Sequence, residues 1–256
     1  MSNIAIITGA SSGIGKEFLL TMPKDKVYDE IWVMARNRQA LLDLSNLTDK
    51  NLVVVDGDLT DNRVIDRLIA KLEEEKPVVK LLINCSGFGK FGKTGDVNMD
   101  ESLNMIDLNC RALTAVTLAC LPYMERGSEI MQVASIAGFA PIPYLNVYAA
   151  SKAYVLSFAQ TLKSEYKKQG IKVLAVCPFW TKTQFFDRAK NSDEQIIKKY
   201  FVMYDPKKVA IRAWKDLKHN RYTSSYGAFN KFLVFLMKLT PVRLKHFVWK
   251  KIQKLD

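Results

Sequence analysis

Short, mostly apolar runs alternate along this chain with longer stretches in which apolar side chains recur every three or four positions. The runs fall at Ile4–Ile7, Ile31–Ala35, Leu52–Val55, Val79–Ile83, Glu129–Ala134 and Ile171–Val176, and each has the length of a strand. A strand that is apolar on both of its faces is buried on both, as in a parallel sheet covered by helices. Helical periodicity follows from about residue 13, over 61–76, over about 100–126, over about 143–170, and again around 209–214. Strand and helix in alternation predict an α/β fold, with a doubly wound parallel sheet. Residues 221–225 suit an edge strand.

The pattern changes after residue 226. Phe229, Phe232, Leu233, Leu236 and Met237 share one helical face; Thr240-Pro241 interrupts it, and Leu244, Phe247 and Val248 resume it. We therefore divide the chain into a core of residues 1–226 and a basic amphipathic helical extension, 227–256. From Arg221 onward eight basic residues stand against one acidic, within an overall net charge of +12. An apolar face ringed by lysines has three places to go: the body of its own subunit, a partner subunit, or peripheral contact with an anionic membrane. Nucleic acid is disfavoured, because the lysines interleave with apolar positions instead of forming an exposed basic stripe.

A chain of 256 residues can bury a full core without disulfides or metal. Four cysteines without C-x-x-C spacing fit inert thiols in a reducing compartment, and two scattered histidines argue against a metal site. No secretory signal precedes the first strand, and the run Phe232–Met237 is too short to span a bilayer. The expected location is the cytoplasm.

Four features carry chemistry. Tyr148 and Lys152 lie one helical turn apart on one face. An ammonium about 4 Å from the phenol oxygen is worth ~4 kcal/mol at an effective dielectric of ~20. That would lower the phenol pKa by roughly three units, toward neutrality. The alternative is an ordinary solvated face. Thr8-Gly9-Ala10-Ser11-Ser12-Gly13-Ile14-Gly15 follows the first strand and opens a helix, either as a tight packing turn or as a cradle for pyrophosphate at the helix N-terminus. At the end of the second strand, where a carboxylate would hold the ribose of NAD, stand Ala35 and Arg36-Asn37-Arg38. A guanidinium there suits a phosphate, unless these are simply loop charges. Asn109 sits among apolar helix positions, which is costly unless its amide is bonded.

Together these residues resemble the short-chain dehydrogenase/reductase family over roughly residues 3–225. The resemblance implies a single-domain Rossmann fold with strand order 3-2-1-4-5-6-7, and a catalytic tetrad of Asn109, Ser135, Tyr148 and Lys152. It implies that Gly9, Ser11, Ser12, Gly13, Ile14 and Gly15 cradle a dinucleotide, with Arg36 and Asn37 near its adenosine end. Asp58 and Leu59 would bracket the adenine; Asn84, Ser86 and Gly87 would line its path. Tyr148, Lys152, Pro178, Thr181 and Thr183 would hold the nicotinamide end. In the family Asn109 also kinks its helix, and its carbonyl holds a water. Departures are Cys85-Ser86 for the more usual Asn-Ala, and Phe179 for the glycine after Pro178. Residues 184 to about 205 would form a substrate lid, rich in aromatics such as Phe185, Phe186, Tyr200 and Phe201.

The expected function is that of an NADP(H)-dependent oxidoreductase interconverting a ketone and a secondary alcohol on a hydrophobic body, steroid-like or acyl-like. The expected assembly is a homodimer or homotetramer. The alternative is a nucleotide-binding sensor or scaffold of the same fold without turnover.

Overall fold

The computed structural model describes residues 1–189, 196–197, 199–200 and 202–255. Its centre is a seven-stranded, all-parallel sheet in the order β3-β2-β1-β4-β5-β6-β7. The chain enters at β1 (Asn3–Thr8), turns into α1 (Gly13–Leu20), and continues through β2 (Glu30–Ala35) and the short α2 (Arg38–Leu42). Next come β3 (Leu52–Asp56), α3 (Asn62–Glu75) and β4 (Val78–Asn84). The period-2 geometry of a strand sends alternate residues to opposite faces. Ile4 and Ile6 accordingly join one apolar layer, while Ala5 and Ile7 join the other. Helix starts are set locally: Asp61 caps α3 by accepting from the Arg63 amide at 2.9 Å.

The helical stretch expected over 100–126 is not one regular helix. It is α4 (Met99–Ile106), then a wide π-helical turn over Asp107–Ala112, then α5 (Leu113–Cys120) and a last 3₁₀ turn. The π turn carries Asn109, and such turns are often found at functional sites. The run 99–123 is long and apolar enough to cross a bilayer, yet Met105, Leu113, Val116 and Cys120 are buried in the body of the protein. After it come β5 (Glu129–Val133), α6 (Asn146–Glu165), β6 (Lys172–Val176), α7 (Phe185–Ala189) and α8 (Pro206–Lys218). The expected edge strand contracts to β7 (Thr223–Ser224). It is pinned by buried Asp216, which accepts from the Ser224 hydroxyl at 2.8 Å and pairs with Arg212 and Arg221.

One apolar layer, between the sheet and α3, α5 and α6, holds Leu68, Leu72, Val116 and Val155. The other, against α1 and α8, holds Phe18, Leu19, Val209 and Trp214. The chain closes with α9 (Ala228–Leu239) and α10 (Val242–Gln253), which start after Gly227 at φ +91°.

Candidate active site

All but two of the functional candidates gather at the carboxyl ends of the strands, where a parallel sheet leaves its crevice. A single cleft of about 1360 Å³ runs there, from the glycine loop past Tyr148 to the α9–α10 hairpin. At one end, Gly9 and Gly13 take positive φ (+68° and +53°). A Cβ on Gly9 would stand 2.9 Å from the Cys85 backbone, and one on Gly15 would overlap the Gly9 carbonyl oxygen. Those positions admit only glycine, and the loop is held from behind by the Thr8 hydroxyl, which accepts from the Cys85 and Ser86 amides at 3.0 and 3.1 Å. Ser12 precedes α1 without capping it through its side chain, which leaves the amino-terminal amides of a helix that starts on the cleft wall uncapped by it. Ser11, Ser12, Gly13, Ile14 and Gly15 all line it. This floor fits a dinucleotide pyrophosphate, by its positive φ values and by the room that a Cβ would fill.

Arg36, Asn37, Asp58 and Leu59 line the cleft beside this floor. The two arginines expected together part company. Arg36 stays largely exposed, 3.8 Å from Asp58, whereas Arg38 is bound to Asp56. The Asn37 side chain caps α2, accepting from the Ala40 amide at 3.0 Å. A further cation had no sequence signal: Arg188, on α7, lies over the Phe88 ring at 3.5 Å and lines the same cleft. Burial and the field of Arg36 both hold its pKa below the usual guanidinium range.

In the middle stand Ser135, Tyr148 and Lys152. Ser135 ends β5 and caps a 3₁₀ turn by accepting from the Ala137 amide at 3.1 Å. Its hydroxyl donates to the Pro178 carbonyl at 3.5 Å, and Ser135 lines the same cleft as the Tyr148 phenol. Lys152 donates to the Val133 carbonyl at 2.8 Å and lies 5.9 Å from the centre of the Tyr148 ring. Burial pushes the phenol up to about 12, with the Ser135 side chain pulling it back, and pushes Lys152 down to about 8. This corrects the expectation of a phenol brought near neutrality. The spacing of four does place both groups on one face, but burial of the phenol is what sets its direction.

Two expected site residues do not line the cleft. Asn84 turns its amide away from it, donating to Thr117 Oγ1 at 2.9 Å under the sheet. The last residue of β4 is paired with Gln132, and its side chain falls on the α5 side. Asn109, fully buried, stands behind the cleft wall and works as a clamp. Its Oδ1 accepts from the Phe88 amide at 3.0 Å; its Nδ2 donates to the Phe88 carbonyl at 2.8 Å and to Ser151 Oγ at 3.0 Å. Ser86 and Gly87 do line the cleft, as do Pro178, Thr181 and Thr183.

Beyond Tyr148 the walls are apolar: Leu108, Ile142, Leu145, Trp180, Phe185 and Phe186. Tyr148 and Phe185 have ring centres 5.4 Å apart, and Phe186 packs edge-on to Tyr200. Phe201, also expected in a lid, lies outside the described residues. Phe179, where the family has glycine, packs on Trp180 and on Phe229 of α9, tying the loop after β6 to the hairpin. The inner face of the hairpin closes this end through Leu233, Met237, Val248 and Trp249, which the sequence pattern could not assign. Cys120 and Cys177 are buried, while Cys85 and Cys110 are only partly so. Burial pushes the Cys85 thiol, at the cleft wall, up to about 12, so it is no nucleophile.

Residues 3–194 match the short chain dehydrogenase family, and the chain belongs to it. It is an oxidoreductase of that kind. Among its relatives is a glycine betaine reductase of Emericella nidulans, 31% identical over 202 residues, which are 77% of this chain but 16% of that much longer protein. An uncharacterized oxidoreductase of Staphylococcus epidermidis is 30% identical over 68% of this chain and 76% of its own length. Among solved structures, a short-chain dehydrogenase from Sphingobium yanoikuyae in complex with NADPH superposes with a TM-score of 0.76, at 24% identity, covering 94% of this chain and 97% of that one. A 3-ketoacyl-(acyl-carrier-protein) reductase from Brucella melitensis, complexed with NADH, gives 0.72 at 22% identity, over 88% and 97%. These structural likenesses carry the Rossmann-like fold.

Proposed function

We propose that the chain is an NADP(H)-dependent oxidoreductase that interconverts a ketone and a secondary alcohol on a hydrophobic substrate, with Tyr148 as general acid and base. One observation carries this reading. Tyr148, a turn from Lys152 on α6 and sharing the cleft lining with Ser135, stands where the glycine-floored half of the cleft meets its apolar half. The bound nicotinamide would supply the hydride.

The rest of the chemistry belongs to the protein. With its pKa held at about 12, Tyr148 keeps its proton at neutral pH and can give it to a carbonyl oxygen. The Ser135 hydroxyl holds that oxygen in line. The Lys152 ammonium, one turn away, favours the phenolate left behind. Asn109 positions the wall at Phe88 and reaches α6 through Ser151, without touching the reacting atoms. Aromatic and aliphatic walls exclude water and favour an apolar substrate body.

NADP(H) over NAD(H) is supported by Ala35 at the end of β2 in place of a carboxylate, with Arg36 largely exposed and only loosely paired to Asp58 at 3.8 Å, and with Arg188 adding a second positive charge to the same cleft. The reading includes a cytoplasmic homodimer or homotetramer. Four unpaired cysteines suit a reducing compartment. Exposed Leu118 of α5 and Tyr154 of α6, the latter bonded to Thr114 at 2.8 Å, offer an apolar contact between subunits.

The test is consumption of NADPH, followed by its absorbance, with a panel of ketones, steroids and acyl substrates. Turnover of apolar ketones with NADPH supports the reading. Tight nucleotide binding with no turnover on any member of the panel would favour a sensor instead.

A further inference from the structure

The α9–α10 hairpin has two faces, and only one is used by the fold. Leu233, Val234 and Met237 pack into the layer that covers the sheet. Trp249 Nε1 donates to the Pro143 carbonyl at 3.0 Å, and the Gln253 side chain bonds both backbone groups of Lys199 at 3.0 Å. The hairpin is thus fixed to the body and cannot roll its other face inward. That other face is apolar and open to solvent: Phe232 is 59% exposed, Phe235 57%, Leu239 67% and Phe247 62%, and Val242 is exposed as well. None of these lines the cleft. Around them stand Lys231, Arg243, Lys251 and Lys254, all exposed, and residues 221–255 contain no Asp or Glu at all.

We propose that this outer face seats the protein peripherally on an anionic lipid surface. A large apolar patch on a folded body marks a contact surface, and charge decides which. A second copy docking through the same face would set lysines against lysines, with no carboxylate on the face to answer them. An anionic bilayer answers both features, taking the phenylalanines into the headgroup boundary while its phosphates and carboxylates meet the rim. Each helix has twelve residues, about 18 Å of rise, well short of a bilayer core, so the hairpin lies in the surface instead of crossing it. Since the inner face walls the cleft, docking brings the cleft's outer end close to the lipid.

The test is cosedimentation of the full chain with vesicles of phosphatidylcholine alone and of phosphatidylcholine with phosphatidylserine, at low and high salt. The comparison variant is F232S/F235S/F247S, whose three sites are solvent-exposed; its circular dichroism and NADPH binding check that it folds. The wild type should pellet with the anionic vesicles, and binding should fall about tenfold or more in high salt. The triple variant should stay in the supernatant. Three results would overturn the proposal: wild type remaining in the supernatant with both vesicles, the folded variant pelleting as wild type does, or a wild-type dimer by sedimentation velocity that the triple substitution dissociates. Vesicle binding is read without turnover, so its failure leaves the oxidoreductase reading standing, and the reverse holds too.

Discussion

Replacing Asn109 with alanine tests whether the residue is a clamp. The side chain is fully buried and makes three hydrogen bonds, two of them to the backbone of Phe88. Alanine strands the Phe88 N–H and C=O, while Ser151 keeps its bond to the Tyr148 carbonyl at 2.8 Å. Each stranded buried group costs about 1–3 kcal/mol. Taking the lower half of that range for two backbone groups, with some local repacking, gives a loss of about 3 kcal/mol. For a chain of this size each kcal/mol lowers Tm by about 2–4 °C, so the midpoint should fall by about 6–12 °C. Because Ser86 and Gly87 precede the clamped residue on the cleft wall, NADPH affinity should fall as well. Asn109→Asp separates the parts: its carboxylate can still accept from the Phe88 amide but cannot donate to the Phe88 carbonyl. Urea unfolding gives the stability change, and fluorescence titration gives the affinity. A stability loss under about 1 kcal/mol in the alanine variant, with unchanged NADPH binding, would refute the clamp.

Tyr148→Phe keeps the ring beside Phe185 and removes only the acid, so turnover should fall at least ~100-fold with NADPH binding retained; turnover within tenfold of wild type would sink the assignment of Tyr148. Arg36→Ala should weaken NADPH by about 1.5–3 kcal/mol, the worth of a charged hydrogen bond, and spare NADH; wild type binding NADH as tightly as NADPH would defeat the NADP reading. Lys152, held at about 8, loses its positive charge above that pH, while Tyr148, held at about 12, keeps its proton; reductive turnover should therefore be level on the neutral side and decline above about pH 8, as a pH–rate profile will show. The same depressed lysine pKa makes its contribution to stability rise with pH between about 8 and its unfolded value of 10.5, because there the unfolded chain binds the extra proton; Lys152→Met should remove that rise in urea midpoints measured across the window.

The sheet was legible because every strand but the last is a run of apolar residues bounded by a turn or a helical period. β7 was legible only as a location. Its Ser224 is held by buried Asp216 on α8, a bond that no apolar run or period of two announces. The glycine loop could be read because its spacing carries a steric meaning, which the overlap of a Cβ on Gly15 with the Gly9 carbonyl makes explicit. Asn84 was misplaced because a family position says nothing about which face of a strand its side chain takes, and the period of two put it under the sheet. Arg188 and the inner face of the hairpin had no signal, since their places on the cleft exist only once α7 and the hairpin have packed against the body. The lysine–tyrosine arithmetic erred for another reason: Coulomb's law over an assumed distance omits the cost of taking both groups out of water.

That cost bears on how the site divides its labour. A phenol and an ammonium buried together each resist their charged form, so at neutral pH the pair rests as neutral phenol beside a cation already satisfied by the Val133 carbonyl. Giving up the phenol proton creates a phenolate in a place that opposes it, and the Lys152 ammonium, one helical turn away, becomes worth most at that moment. Stabilisation that grows as charge develops lowers the barrier more than it lowers the ground state. Reduction starts from the proton inventory the resting site already holds; oxidation must first remove a proton from a phenol that burial has made reluctant. On the reading proposed above, a resting phenol that holds its proton at neutral pH is matched to giving that proton to a carbonyl oxygen, and Lys152 to the charge this leaves behind.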